Sequence, residues 1–565
     1  MQWPTFKQWR QFFHVSTHKE KYQFFSYTAL ALAGLFLIGI QSYRLATTVK
    51  PAQGGQINLA ISGSPRFLNP VLSPANEADK DLVAIIFSSL FKYDAQGKLT
   101  PDLAQKYSIG DNGKIYEITL RENVRWHDKK ILTVDDVIFT IQTIQNPDYR
   151  SPLRTFWQGV EIEKIDELTI RLKLKNPYSP FLNNLTFGVL PKHLWENIPP
   201  AQFALNEMNL KPIGSGAYTF NKFQKDTKGN IKSIELKSFK DYFEGEAFIS
   251  TLVFNFYQSE SDIYTAYKKD NLDVFNLASA KNFTDLKNKK DGNISVYQLT
   301  LPRYFAVFFN QTQNKFLADK IVRQALAWSI NKKEIINQVF GGYGSEVNSP
   351  LLKDMIGYSD QVKIYDFALE HAKNILIAAG WKDTDNDTFL EKDNQKLELT
   401  LTSIDWPELA QSAELIKKQW EALGVKINLE IKETGKIQNE TIKPRQYQAL
   451  LFGEVLGFEP DLFHFWHSTQ KKESGLNLAL YENMEVDKLL SASIEDMNQS
   501  SRANKNQRVA NLITEDLPAI FLFSPDYLFV AKKDIKGITL KNIDIPSSRF
   551  SQINKWYLKT SRGWK

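Results

Sequence analysis

From Phe24 to Tyr43 the chain runs without a charged residue: FFSYTALALAGLFLIGIQSY. At ~1.5 Å of rise per residue, a helix of this length reaches ~30 Å, the thickness of a hydrocarbon core. A buried soluble helix would alternate polar and apolar faces, and this run has no polar face. Four bases (Lys7, Arg10, Lys19 and Lys21) precede it, and positive flanks stay in the cytoplasm. Residues 1–23 are therefore read as cytoplasmic, 24–43 as an anchor crossing the membrane once, and the remainder as extracytoplasmic. The alternative is a cleaved leader. Cleavage after Ala46 would put Arg44 where a small residue is wanted, so the reading is an uncleaved anchor. Residues 44–56, with Pro51, Gly54 and Gly55, read as a short flexible stalk. No other window approaches 18 apolar residues, which excludes a channel or permease.

Charge and cysteine narrow the rest. The net charge is +6, but the first 50 residues carry +5 of it, leaving +1 for the other 515. A nearly neutral body lacks the concentrated basic face that nucleic-acid binding needs. The chain has no cysteine, so it has no disulfide, thiolate metal site or cysteine nucleophile. Aromatic residues make up 13%, a surplus suited to gripping varied ligands by area.

The body alternates strand and helix signals. INLAIS (57–62) and LTIRLKL (168–174) read as strands, and so does the alternating start of KIYEITLRENVRW (114–126). TVDDVIFTIQTIQ (133–145) reads as a helix capped by Thr133, with Asp136 three residues on. The segment 316–340 reads as two helical stretches broken near Ser329–Asn331, and 367–380 as a helix stopped by Gly380. LELTLTS (397–403), ELAQSAELIKKQWEALG (408–424) and VKINLEI (425–431) form a strand–helix–strand unit, which favours a parallel pair. The class is mixed α/β.

Several blocks, in order, carry a family resemblance. They are LNPVL (68–72), the long block 85–144 with Trp126-His127-Asp128, NPYSPFLNNL (176–185), VLPKHLWE (189–196) and KPIGSGAYTF (211–220). VFFNQT (307–312), VRQALAWSINKKEII (322–336), AKNILIAAGW (372–381) and KKQWEALGVKINLEI (417–431) follow. Together they resemble the family 5 solute-binding proteins, the dipeptide, oligopeptide and nickel class of ABC-importer receptors, over roughly 57–560. The usual Gly after Trp-His-Asp is here Lys129. The resemblance implies a two-lobed, type II periplasmic-binding-protein-like fold with an extra subdomain in the first lobe. Lobe I would span 57–300, with the subdomain at about 92–210. Lobe II would span 301–510, and 511–560 would return to lobe I. It also implies a monomer that binds a peptide or peptide-like solute between the lobes, with an ABC permease and ATPase as partners and no cofactor. The chain has no Gly-x-x-x-x-Gly-Lys-Ser/Thr motif to supply the energy itself.

The same resemblance proposes cleft residues. Gly453 and Val455 would present backbone to an extended peptide, as an added strand does. Family peptide binders usually place a Trp after that Gly, and four residues after it an Asp that pairs with the peptide amine. Here those places hold Glu454 and Gly457, and Glu454, Glu459 and Asp461 are the substitutes on offer. Glu459 and Asp461 are also suited to cap the turn that follows. Asn76, Phe156, Trp157, Trp406 and Trp466 complete the expected cleft wall, with ordinary core or surface packing as the alternative for each.

Two metal readings compete with plainer ones. Asp461, His464 and His467 recur every three residues, but Phe463, Phe465 and Trp466 interleave them, which reads as an aromatic wall with polar tips rather than a metal site. Asp383, Asp385 and Asp387 open like a calcium loop, but the sixth place is Thr388 and the twelfth Asn394, so a solvated hairpin is the plainer account of the same residues. The chain carries no Gly-x-Ser-x-Gly and no His-Glu-x-x-His, so no enzyme is expected. A solute sensor or surface interaction protein without a transport role, or a binder of nickel or another small solute, is the alternative on this scaffold.

Overall fold

The computed structural model describes residues 5–277, 280–288, 293–473 and 475–564. The apolar run lies inside one 29-residue helix, His18–Ala46, none of whose residues is buried. Thr17 and Glu20 close a capping box at its start, satisfying backbone donors that a helix terminus leaves open. A short helix, Phe6–Val15, folds back on it through rings of Trp9, Phe12 and Phe13 against Phe24 and Phe25.

The segment expected as a flexible stalk is ordered. Thr47–Ala52 pairs antiparallel with the last strand, Lys559–Trp564. Its Thr-Thr-Val start favours strand, and Pro51 is tolerated because both strands of a two-stranded ribbon are edges. Tyr43 and Trp564 stack edge to face at 6.2 Å, so both ends of the body meet where the apolar helix emerges.

Two sheets, each with its own core, make the fold two-lobed. The first has seven strands in the order Ile294–Leu299, Tyr527–Lys532, Val274–Leu277, Gln56–Ser62, Thr251–Tyr257, Ile231–Ser238, Tyr218–Lys225. The second has six: Gly344–Glu346, Ala519–Pro525, Arg303–Phe309, Ala449–Val455, Glu398–Ile404, Lys426–Lys432. The expected strand–helix–strand unit is there, with Glu398–Ile404 and Lys426–Lys432 parallel and Pro407–Leu423 between them. A third, four-stranded sheet (Ala104–Gly110, Ile115–Leu120, Thr169–Lys173, Glu161–Lys164) packs on the first lobe beneath Val134–Gln145. That helix opens with the expected box of Thr133 and Asp136.

One core is built from residues between Tyr304 and Phe523 and another from 57–301 with 529–556. The chain crosses between lobes twice, at 300–302 and at Asp526. The second crossing thus falls later than the expected 511, because Gln499–Asp516 and Ala519–Pro525 still pack in the second core. The returning segment is fastened by Arg549, whose guanidinium meets both oxygens of Asp81 with each side chain about 95% buried.

Candidate functional site

The strand Ala449–Val455 positions the site. It pairs antiparallel with Arg303–Phe309 along its whole length. Leu456 N–H bonds Pro302 O at 2.8 Å and Asn310 N–H bonds Gln448 O at 2.8 Å. Ladder bonds alternate along an antiparallel pair, so the even-numbered residues carry them. Leu451, Gly453 and Val455 turn their N–H and C=O groups to the opposite edge. Glu398–Ile404 covers that edge only as far as its pairs with Ala449 and Leu450, and Ser403 Oγ caps Leu451 O at 3.2 Å. Beyond these pairs no strand covers that edge among the described residues, and Gly453 and Val455 present their backbone groups there.

Side chains follow the same register. Directly opposed residues share a face, so Arg303, Phe305, Gly453 and Val455 lie on one side and Tyr304 and Glu454 on the other. A Cβ at 453 would sit 2.7 Å from the Phe305 ring, so a larger residue there must displace that ring. Val455 is 54% exposed. Glu454 therefore departs from the expected amine anchor. It points into the second core, is 4% exposed, and accepts the Tyr304 hydroxyl proton. Burial pushes its carboxyl up to about 8, against the lowering effect of that hydrogen bond.

The loop after the strand reaches the first lobe. Gly457 takes a left-handed φ of 71°, which glycine adopts without strain. Phe458 then lies against Tyr93, ring centroids 5.0 Å apart. Glu459 accepts from Asn183 Nδ2 at 3.3 Å and lies 3.9 Å from Arg502. Asp461 accepts the Tyr178 hydroxyl at 2.8 Å across the lobes and the His464 ring at 2.8 Å, and its other oxygen caps Phe463 N–H. That hydrogen bond to Asp461 holds the His464 imidazole above its usual range.

The other expected residues scatter. Phe156 is 46% exposed, its ring 6.4 Å from His464. Trp406 is half-exposed at the end of Glu398–Ile404. Trp157 packs in the first core against Phe181 and Phe187, and Trp466 in the second against Phe521. The Asn76 side chain is engaged, accepting from Ala78 N–H and donating to Ser64 O.

His467 turns toward Thr469 and Ser491, away from Asp461, so Asp461, His464 and His467 do not converge. Oxygens of Asp383, Asp385, Asp387 and Glu391 do gather within 4.8 Å of one another. The Lys396 ammonium sits among them, 3.1 Å from Asp385 and 3.7 Å from Glu391, so the hairpin carries its own cation.

Arg303 went unnoticed in the sequence. It starts the first strand after the crossing, beside Val455. Its Nε is buried with no hydrogen-bond partner, and no ion pair engages it among the described residues. Desolvation lowers its pKa. A lone Arg opening an apolar strand, RYFAVFF, was the available signal.

Beneath the Phe458–His464 segment lies a chamber of about 420 Å³, lined wholly by the first lobe and its returning segment. Three of its residues, Tyr93, Phe156 and Asn183, touch the second lobe at the mouth. It includes Ser73 and Pro74, three and two residues before Asn76, and Asp544 and Ser548 from the return. Stretches of chain far apart in sequence, from Pro70 to Asn554, contribute, which no local spacing could have disclosed.

Comparison with known proteins agrees with this architecture. The model of the bacterial extracellular solute-binding proteins, family 5, matches residues 98–475. The oligopeptide-binding protein AppA of Bacillus subtilis is 28% identical over 520 residues, covering 90% of this chain and 92% of that protein. The structure of AppA in complex with a nonapeptide superposes with a TM-score of 0.73 at 27% identity, covering 90% of this chain and all of that one. The structure of NikZ from Campylobacter jejuni in complex with Ni(L-His) gives 0.74 at 25% identity, covering 89% and 99%. With the family model spanning well over half its length, this chain belongs to the bacterial extracellular solute-binding proteins of family 5.

Proposed function

We propose that this chain is the membrane-anchored, extracytoplasmic receptor of an ABC importer, capturing peptides or peptide-like solutes between its lobes and handing them to a permease without altering them. The observation that carries the reading is the free backbone edge at Gly453 and Val455, facing the opening between two independently cored lobes. Main-chain bonding to an extended ligand ignores side-chain identity, which suits a receptor for mixed peptides. The likeness to an oligopeptide-binding protein supports the ligand class.

Two chain crossings are the natural hinge. With the lobes joined, Tyr178 bonds Asp461 and Asn183 bonds Glu459 around the guest, and excluding water strengthens every bond inside. Arg303 supplies an unpaired cation beside the free edge, suited to a carboxylate of the ligand. The apolar helix would hold this receptor at the membrane, where its permease and ATPase partners work. The test is calorimetric titration of the full-length chain in lipid nanodiscs with a pool of di- to nonapeptides. Saturable binding at one site per chain is expected; no heat from any length of peptide would refute the reading.

A further inference from the structure

The chamber beneath the cleft has a charge balance that its occupant must complete. Two lysines line it, and both are already matched. Lys80 lies 2.7 Å from Glu77, and Lys92 lies 2.9 Å from Asp102 and 2.7 Å from Glu244. An entering anion therefore finds no free cation among the described residues lining the chamber. Asp544 also lines it and differs. Its hydrogen bonds are local, from the Ser548 hydroxyl four residues on and from backbone N–H groups of its own turn, and it forms no ion pair among the described residues. Burial raises its pKa, as it must for a carboxylate removed from water. A second carboxylate, Glu459, comes from the opposite lobe to the same mouth. Both act electrostatically on the Tyr93 hydroxyl.

Around these acids the walls are aromatic: Tyr93, Phe156, Trp157, Phe187 and Tyr242 all line the space. A carboxylate without a counter-ion inside a ring of aromatic faces suits an organic cation. The acid neutralises the charge and the rings take the methylenes and the positive face. A purely apolar occupant would leave Asp544 buried and unpaired, which is costly. The volume lies within the range of small-ligand pockets.

We propose that this chamber takes the cationic group of the bound solute, an ammonium or guanidinium, with Asp544 as its counter-ion and the aromatic walls as its sides. The inference rests on the receptor reading above and sharpens it to a charge preference.

The experiment uses the full-length chain in nanodiscs and isothermal titration. The probes are pentaalanine with Lys or norleucine at each position in turn, the same peptides N-acetylated, and free cadaverine and agmatine. Removing one particular positive charge should weaken binding to the wild type at least tenfold. In Asp544→Asn that difference should vanish. The acetylated series separates a terminal ammonium from a side-chain one. Peptides that bind equally well with every charge removed would overturn the inference and leave the receptor reading intact, as would a preference that survives Asp544→Asn. Binding of the amines alone would sink the peptide reading and keep the inference. Binding of no probe would sink both. Should Asp544→Asn melt early, the wild-type comparison of Lys with norleucine decides alone, and Asp544→Glu should retain the preference.

Discussion

Replacing Glu454 with Gln keeps an acceptor for the Tyr304 hydroxyl but removes a titration. In the folded chain the Glu454 carboxyl is pushed up to about 8 from an ordinary 4.5, chiefly by burial. Between those values the folded state holds a proton that the unfolded chain has released. A state that binds more protons is favoured by acid, so stability falls as pH rises through this window. At 1.36 kcal/mol per unit, the penalty is roughly 2 kcal/mol at pH 6 and roughly 5 kcal/mol at pH 9, a change of about 2–3 kcal/mol. For a lobe of this size that is on the order of 5–10 °C in Tm. The assay is thermal unfolding of wild type and Glu454→Gln at half-unit steps from pH 6 to 9. The variant should already exceed the wild type by roughly 2 kcal/mol at pH 6, and the gap should widen by about 2–3 kcal/mol toward pH 9. Parallel curves would refute the reasoning, since they would mean that Glu454 ionises in the folded chain as easily as in water.

Three further outcomes follow from the same geometry. Asp81→Asn strands the Arg549 guanidinium in the first core and should cost about 3–5 kcal/mol in urea unfolding, whereas replacing both partners by apolar residues should recover most of it. Tyr178→Phe removes the inter-lobe bond to Asp461; peptide release, followed by stopped flow, should speed up about tenfold with little change in Tm. Gly453→Val drives a side chain into the Phe305 ring and displaces the free edge, so peptide affinity should drop at least about tenfold while circular dichroism stays native.

Local chemistry made much of the fold legible. The Thr133–Asp136 box, the helix break before Lys332 and the parallel unit around Pro407–Leu423 each depend on residues a few positions apart, and each stands where its signals placed it. Long-range pairing was not legible. Thr47–Ala52 finds its partner some five hundred residues away, so a Pro- and Gly-bearing segment read as a tether is instead a strand. The second crossing moved from 511 to Asp526 because AIFLF and YLFVA are both apolar runs, and only sheet membership assigns them to different lobes. The site divides the same way. Gly453 and Val455 lie on the free edge, but Glu454 turned inward because one step along a strand reverses the face, and nothing in its neighbours' identities fixes that register. Asp544 and Arg303 are ordinary residues in sequence; only the assembled lobes leave them without an ion-pair partner among the described residues.

The central claim is that a small guest is held, unaltered, between two lobes. Native mass spectrometry of the full-length chain, released from detergent as purified, tests it most directly. The account predicts a population heavier than the chain by the mass of a peptide, which is lost on denaturation and refilled when a peptide pool is added. A single mass equal to the bare chain, before and after that addition, would contradict it.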